Sequence, residues 1–127
     1  MYTKETIKQA IDILDLEAAD YILYSGNSLV MHGIRETASD LDIGVTPEIF
    51  ARISKGEVIE SAKWTGQRMF KAHSTIEFFE VPNLDDVPTR MIDGVRVQSL
   101  MSVVAWKQKY GTREKDIEDL KRLLGEA

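Results

Sequence analysis

Near the N-terminus, apolar residues recur at Ile7, Ala10, Ile11 and Leu14, the i, i+3, i+4, i+7 spacing of one helical face, and Thr3 stands where a capping hydroxyl would open that helix. The period then changes. Tyr21-Ile22-Leu23-Tyr24 is an unbroken apolar run that reads as a buried strand. Ser25-Gly26-Asn27-Ser28 interrupts it as a turn, after which Leu29 to His32 predicts a short helix ended by Gly33. Polar and apolar positions alternate next in Asp40-Leu41-Asp42-Ile43-Gly44-Val45. As a strand, this segment puts both carboxylates on one face and Leu41, Ile43 and Val45 on the other. Thr46-Pro47-Glu48 then supplies a capping hydroxyl, a proline at the first helical position and an early acid, which predicts a short helix through Ile53.

The second half reads first as antiparallel β structure: Glu57 to Ser61, Gln67 to Ala72 and Thr75 to Val81, with turns at Gly66 and at His73-Ser74. Pro82, Asn83 and Pro88 bracket an irregular acidic loop, and Gly94-Val95-Arg96-Val97 predicts a short edge strand. Ser99 can cap a helix whose stripe is Leu100, Val103, Val104 and Lys107 and which Gly111 ends. A last helix is expected from about Arg113 to Leu124, with Ile117, Leu120 and Leu124 on its apolar side. The order α-β-α-β-α-β-β-β-α-α predicts an α/β (α+β) domain with a mixed β-sheet flanked by helices. Without repeats, low-complexity tracts or a linker, residues 1–127 read as a single domain.

Composition narrows the partners more than the fold. The chain has 16 basic and 21 acidic residues, and a net charge of -5 argues against nonspecific binding to nucleic acid or to an anionic membrane. Cysteine is absent, which removes disulfides, thiolate nucleophiles and cysteine zinc sites, and two isolated histidines, His32 and His73, make a poor zinc site. No apolar run approaches the roughly 18 residues of a membrane span, and Met1-Tyr2-Thr3-Lys4-Glu5 lacks the apolar stretch of a signal peptide. The expectation is a cytoplasmic protein.

Candidate chemistry centres on Asp40 and Asp42. Two carboxylates on one strand face can hold a divalent metal, and the small turn at Ser25 to Ser28 can offer backbone N–H groups to the phosphates that such a metal carries. The same acid pair could also be a solvated strand edge. Lys107 continues an apolar stripe, so its ammonium must meet either a carboxylate or a bound phosphate, with the cleft as the favoured destination. Arg35 reads equally as a surface ion pair or as a phosphate or carboxylate contact, and His32 as a helix-end ring or a participant in chemistry. Lys115 and Asp119, four apart, fit a surface pair. Trp64, Trp106 and the five methionines are expected in core or interface.

Tyr24 to Gly33, followed by Arg35, Thr37 and Asp40-Leu41-Asp42, resembles the nucleotidyltransferase fold superfamily, the polymerase-β-like group. The nearest likeness is to its small AbiEii-like branch, with Gly-Gly-x-Ala-Leu-x-x-His-Gly, Arg-x-Thr and Asp-x-Asp in that order. Lys107 and Arg113-Glu114-Lys115-Asp116-Ile117-Glu118-Asp119-Leu120 are similar to later signatures of the same proteins. Ser25 stands where the first glycine is usual. The resemblance implies the nucleotidyltransferase fold and transfer of an NMP from an NTP to an acceptor hydroxyl or phosphate on a protein, an RNA end or a small compound, with one or two Mg²⁺ ions. It further implies Asp40 and Asp42 as catalytic metal ligands and a third acid on a later strand, for which Glu77 is the candidate and Glu80 the competitor. Ser25, Gly26, Asn27, Ser28, Arg35 and Lys107 would then bind the nucleotide. The alternatives are a noncatalytic interaction module with a protein partner, such as an antitoxin, and an antibiotic-modifying adenylyltransferase.

Overall fold

Thr3 Oγ1 accepts from the Thr6 amide while Thr6 Oγ1 accepts from the Thr3 amide, a reciprocal box that starts helix α1 (Lys4–Leu14) where the sequence places it. The computed structural model describes residues 1–63, 65–110 and 113–123, except the side chains of Lys115 and Leu120. Expectations for Trp64, Gly111, Leu124 and those two side chains lie outside the described residues.

After α1 come β1 (Tyr21–Leu23), α2 (Ser25–Met31), β2 (Leu41–Val45), α3 (Pro47–Ile53), β3 (Glu60–Ser61), β4 (Arg68–His73), β5 (Ile76–Glu80), a 3-10 turn at Leu84–Asp86, β6 (Thr89–Ile92), β7 (Val95–Gln98), α4 (Leu100–Tyr110) and α5 (Glu114–Leu123). The described strands form one mixed sheet in the order β3-β4-β5-β2-β1-β7-β6. β2 runs parallel to β5 and β1 parallel to β7, while the remaining neighbours are antiparallel.

Alternation in β2 sorts the two faces of this sheet. Leu41, Ile43 and Val45 are fully buried and pack with Tyr21 and Leu23, with Ile7 and Ile11 of α1 and with Ile49 and Phe50 of α3. Phe50, Phe70 and Phe78 extend that core as a chain of rings 5.5 and 5.3 Å apart. The opposite face is thinner: Ile22, Val81 and Leu84 form a small cluster against Tyr24 and Val87, and beside it the sheet opens to solvent. Gly44 belongs to that face for a steric reason, since a Cβ there would lie 2.6 Å from the Tyr24 ring.

Four expectations need correction. The Ser25 to Ser28 turn and the following helix are one element, for α2 begins at Ser25 with φ at +42°. β3 is only Glu60–Ser61 rather than Glu57 to Ser61, and Val58 is exposed. β7 is no edge strand, because β6, missed in the sequence, pairs with it through an Asp93-Gly94 turn whose two positive φ angles suit a hairpin. On α5, Ile117 is 49% exposed, and among the described side chains of that helix the buried ones are Asp116 and Asp119.

Candidate active site

Parallel pairing of β2 with β5 places Asp42 in register with Glu77 and Gly44 with Phe79. The same register puts Glu80 opposite Val45, on the core-facing alternation, where it accepts from Arg68 Nη1 at 3.1 Å. Of the two competing acids, Glu77 is therefore the one that shares a sheet face with Asp42. Asp40, one residue ahead of β2, lines the same cleft as Asp42 and Glu77, a cavity of about 780 Å³. Lys71 Nζ lies 3.6 Å from Glu77 Oε1.

Among the described residues, no three Asp, Glu or His side chains are drawn together as a cage for a cation. Magnesium does not require one, since it keeps several waters and is held by one or two carboxylates plus substrate phosphates. Two hard oxygen donors on one strand face, with a third one strand away, fit that ion in chemistry and in number.

The aspartate segment is fixed from α2. Asn27, fully buried, donates from Nδ2 to the Asp40 carbonyl at 2.7 Å and accepts at Oδ1 from the Asp42 amide at 2.7 Å. One side-chain amide thus bridges the backbone on either side of Leu41 and sets where the two acids start from. Of the remaining turn residues, Ser25 donates its N–H to Gln98 Oε1 at 3.0 Å, and Ser28 Oγ donates to the Gln98 carbonyl. Gly26 has room only because it lacks a side chain, as a Cβ would come within 2.9 Å of Arg35 Nη1. His32 caps the end of α2, its Nδ1 2.9 Å from the Ser28 carbonyl, and so makes the helix-end contact. Burial raises the Tyr24 hydroxyl's pKa, with a hydrogen bond from Gln67 opposing, so this cleft phenol stays protonated near neutrality.

Arg35 and Lys107 do not line this cleft. Lys107, 1% exposed, donates to Asp116 Oδ1 at 2.7 Å and lies 3.2 Å from Asp119 Oδ2. Arg35 forks onto Asp119 through Nε, at 3.0 Å, and Nη2, while Arg113 Nε reaches Asp116 at 3.0 Å. Three cations and two carboxylates thereby tie the loop after α2 to α4 and α5. Burial pushes the Asp116 carboxyl up, but hydrogen bonds and charge from Arg113 and Lys107 outweigh it and leave the pKa at about 2. Asp119 belongs to this buried network rather than to a surface pair.

Sequence reasoning missed one wall of the cleft. Beside the buried Val103 and Lys107, α4 presents Ser102, Trp106 and Tyr110, four residues apart in turn, to the same cavity as the acids. The rings of Trp106 and Tyr110 lie 5.2 Å apart at 47°, and Lys109 Nζ lies 5.0 Å from the Tyr110 centroid. The signal was present as aromatics at i+3 and i+7 from Val103, along the flank of its helical face.

No protein-family model and no curated protein matches the chain. Solved structures do. The chain is similar to the candidate nucleotidyltransferase TM1012 of Thermotoga maritima at 17% identity, with a TM-score of 0.60, over 97% of this chain and 92% of that one. It is similar to the lincosamide antibiotic adenylyltransferase LnuA, solved with lincomycin, at 15% identity and a TM-score of 0.61, over 95% and 94%. It is also similar to ANT(2")-Ia, solved with adenylyl-2"-tobramycin, at 14% identity and a TM-score of 0.60, over 95% and 85%. At such identities the likeness is one of fold. The mixed seven-stranded sheet with its flanking helices is the nucleotidyltransferase fold. No described helix is long and apolar enough to cross a membrane.

Proposed function

We propose that this chain uses its nucleotidyltransferase fold to move a nucleoside monophosphate from a magnesium-bound NTP to an acceptor hydroxyl. One observation carries the reading: Asp42 and Glu77 are in register on the open sheet face, and Asp40 lines the same cleft. Asp40 and Asp42 would hold Mg²⁺, which when bound neutralises charge on the phosphates and on the departing pyrophosphate. Glu77 takes the proton of the acceptor hydroxyl, whose oxygen forms the new bond to the α-phosphorus as the bond to pyrophosphate breaks. Asn27 keeps the two aspartates in place through their main chain. Gly26 leaves room beside the start of α2 for the Arg35 guanidinium.

This reading gives Arg35 and Lys107 a supporting role, since both are committed to Asp116 and Asp119. A second reading, a binding module without turnover such as an antitoxin or a regulatory partner, draws on the ion pair between Lys71 and Glu77. In that case nucleotide binds and the base does not act. Isothermal titration with ATP, GTP, CTP and UTP, each with Mg²⁺ and with EDTA, tests binding, and pyrophosphate release with hydroxyl acceptors tests turnover. Magnesium-dependent heat with at least one NTP is expected. Heat that is indifferent to Mg²⁺, or none with any NTP, would overturn the proposal.

A further inference from the structure

The two walls of the cleft differ in chemistry. The sheet wall offers Asp40, Asp42 and Glu77, and the α4 wall offers Trp106 and Tyr110, both half-buried, with Lys109 beside them. A nucleotide has the same asymmetry, an anionic polyphosphate that travels with its metal and a flat π-faced base. From this pairing we infer that Trp106 and Tyr110 form the nucleobase subsite, with the base stacked on Trp106. The inference rests on the NTP reading above and adds the direction in which the nucleotide lies.

Three features support it. Trp106 and Tyr110 stand one turn apart on the flank of the Val103 and Lys107 face that borders the cleft, and both stay half-buried while Val103 and Lys107 are fully buried. Their rings meet at 47° rather than stacked flat on each other, which leaves the indole a π-face for another ring. Phe79, the aromatic of the sheet wall, is already held edge-on by Tyr24 at 6.3 Å, so the stacking surface belongs to α4. Stacking on an aromatic tolerates any base, and the subsite therefore predicts affinity for NTPs as a class, with purines favoured for their larger ring area. The rest of the sheet wall, around Gln67, Met69 and Phe79, is left for the acceptor.

Tryptophan emission tests this directly, because the chain holds only Trp64 and Trp106. In a Trp64→Phe background, ATP with Mg²⁺ should quench the emission of Trp106. Magnesium tripolyphosphate, which has no base, should raise the melting temperature without quenching. Trp106→Ala should weaken ATP roughly 5- to 150-fold, the range a base–aromatic stack is worth, and leave tripolyphosphate affinity unchanged, while Trp106→Phe should retain most of the ATP affinity. Full ATP affinity in Trp106→Ala, or ATP binding without quenching, overturns the subsite and leaves the NTP reading standing. Equal loss of ATP and tripolyphosphate in Trp106→Ala would make Trp106 structural and also overturns it. If neither ligand binds the parent protein, the NTP reading falls and the subsite falls with it.

Discussion

Two acidic centres in this protein use the same side chains to opposite ends. Asp116 and Asp119 are 1% exposed, and every carboxylate there faces cations at hydrogen-bonding distance from Lys107, Arg35 and Arg113. Asp40, Asp42 and Glu77 line an open cleft, with Lys71 3.6 Å from Glu77. The first centre resolves its charge within the fold, so it has no need of a ligand and its loss should be felt as stability. The second gathers three carboxylates along an open cleft, where a divalent cation and its phosphates would have access, so its loss should be felt as binding.

Breaking the buried centre should have the largest effect. Lys107→Met keeps the volume of the stem but leaves Asp116 and Asp119 without their shared cation, and should destabilise by about 3 to 5 kcal/mol in chemical denaturation. A shift below about 1 kcal/mol would mean that the network is not the structural centre described.

Acid should act on the same centre. The Asp116 pKa falls from 3.8 to about 2 on folding, so its contribution is fully present above about pH 4 and is lost as pH drops through about 2. The loss is roughly 2 kcal/mol. Urea midpoints measured between pH 5 and pH 2 should fall along that course, and the dependence should shrink in Asp116→Asn.

The link between α2 and the aspartates comes next. Asn27→Ala removes two hydrogen bonds to the backbone around Leu41, at a cost of about 1 to 2 kcal/mol. It should also weaken the metal-dependent NTP response, although Asn27 is fully buried. A loss of stability with the ligand response intact would reduce Asn27 to a packing residue. Ser25→Gly should have a smaller stability effect than these, and of the opposite sign. The left-handed φ of Ser25 is strained for a residue with a side chain, and glycine should relieve this by about 0.5 to 1 kcal/mol, visible as a raised melting temperature.

The contrast between the centres also explains what the sequence could disclose. α1 and β2 were legible because their buried faces are apolar and follow the helical and strand periods without interruption. Ile117 of α5 was misread because the buried side chains among the described residues of that helix are ionic. The search for an apolar stripe selects Ile117, whereas Asp116 and Asp119 face inward only because cations from other elements meet them. Lys107 showed that its ammonium needed a partner but not which one, since that depends on how α5 folds back over α4. Alternation along β5 puts Glu77 and Glu80 on opposite faces, but which of them meets Asp42 depends on the pairing of β5 with β2, a long-range register. β6 escaped because Thr89-Arg90-Met91-Ile92 pairs on one side only and lacks a clear alternation, although Asp93-Gly94 was a hairpin signal.

The central claim is that Asp40 and Asp42 serve a ligand rather than the fold, and paired melting curves of the parent protein and Asp42→Asn, with and without Mg²⁺ and NTP, test it most directly. The Asn27 bridge uses the main chain at these positions, so the isosteric change leaves it intact. The account predicts an apo melting temperature within a degree or two of the parent, on the order of 0.5 kcal/mol or less, and loss of the stabilisation that Mg²⁺ with NTP gives the parent. A destabilised apo variant that keeps its full response to Mg²⁺ and NTP would contradict it.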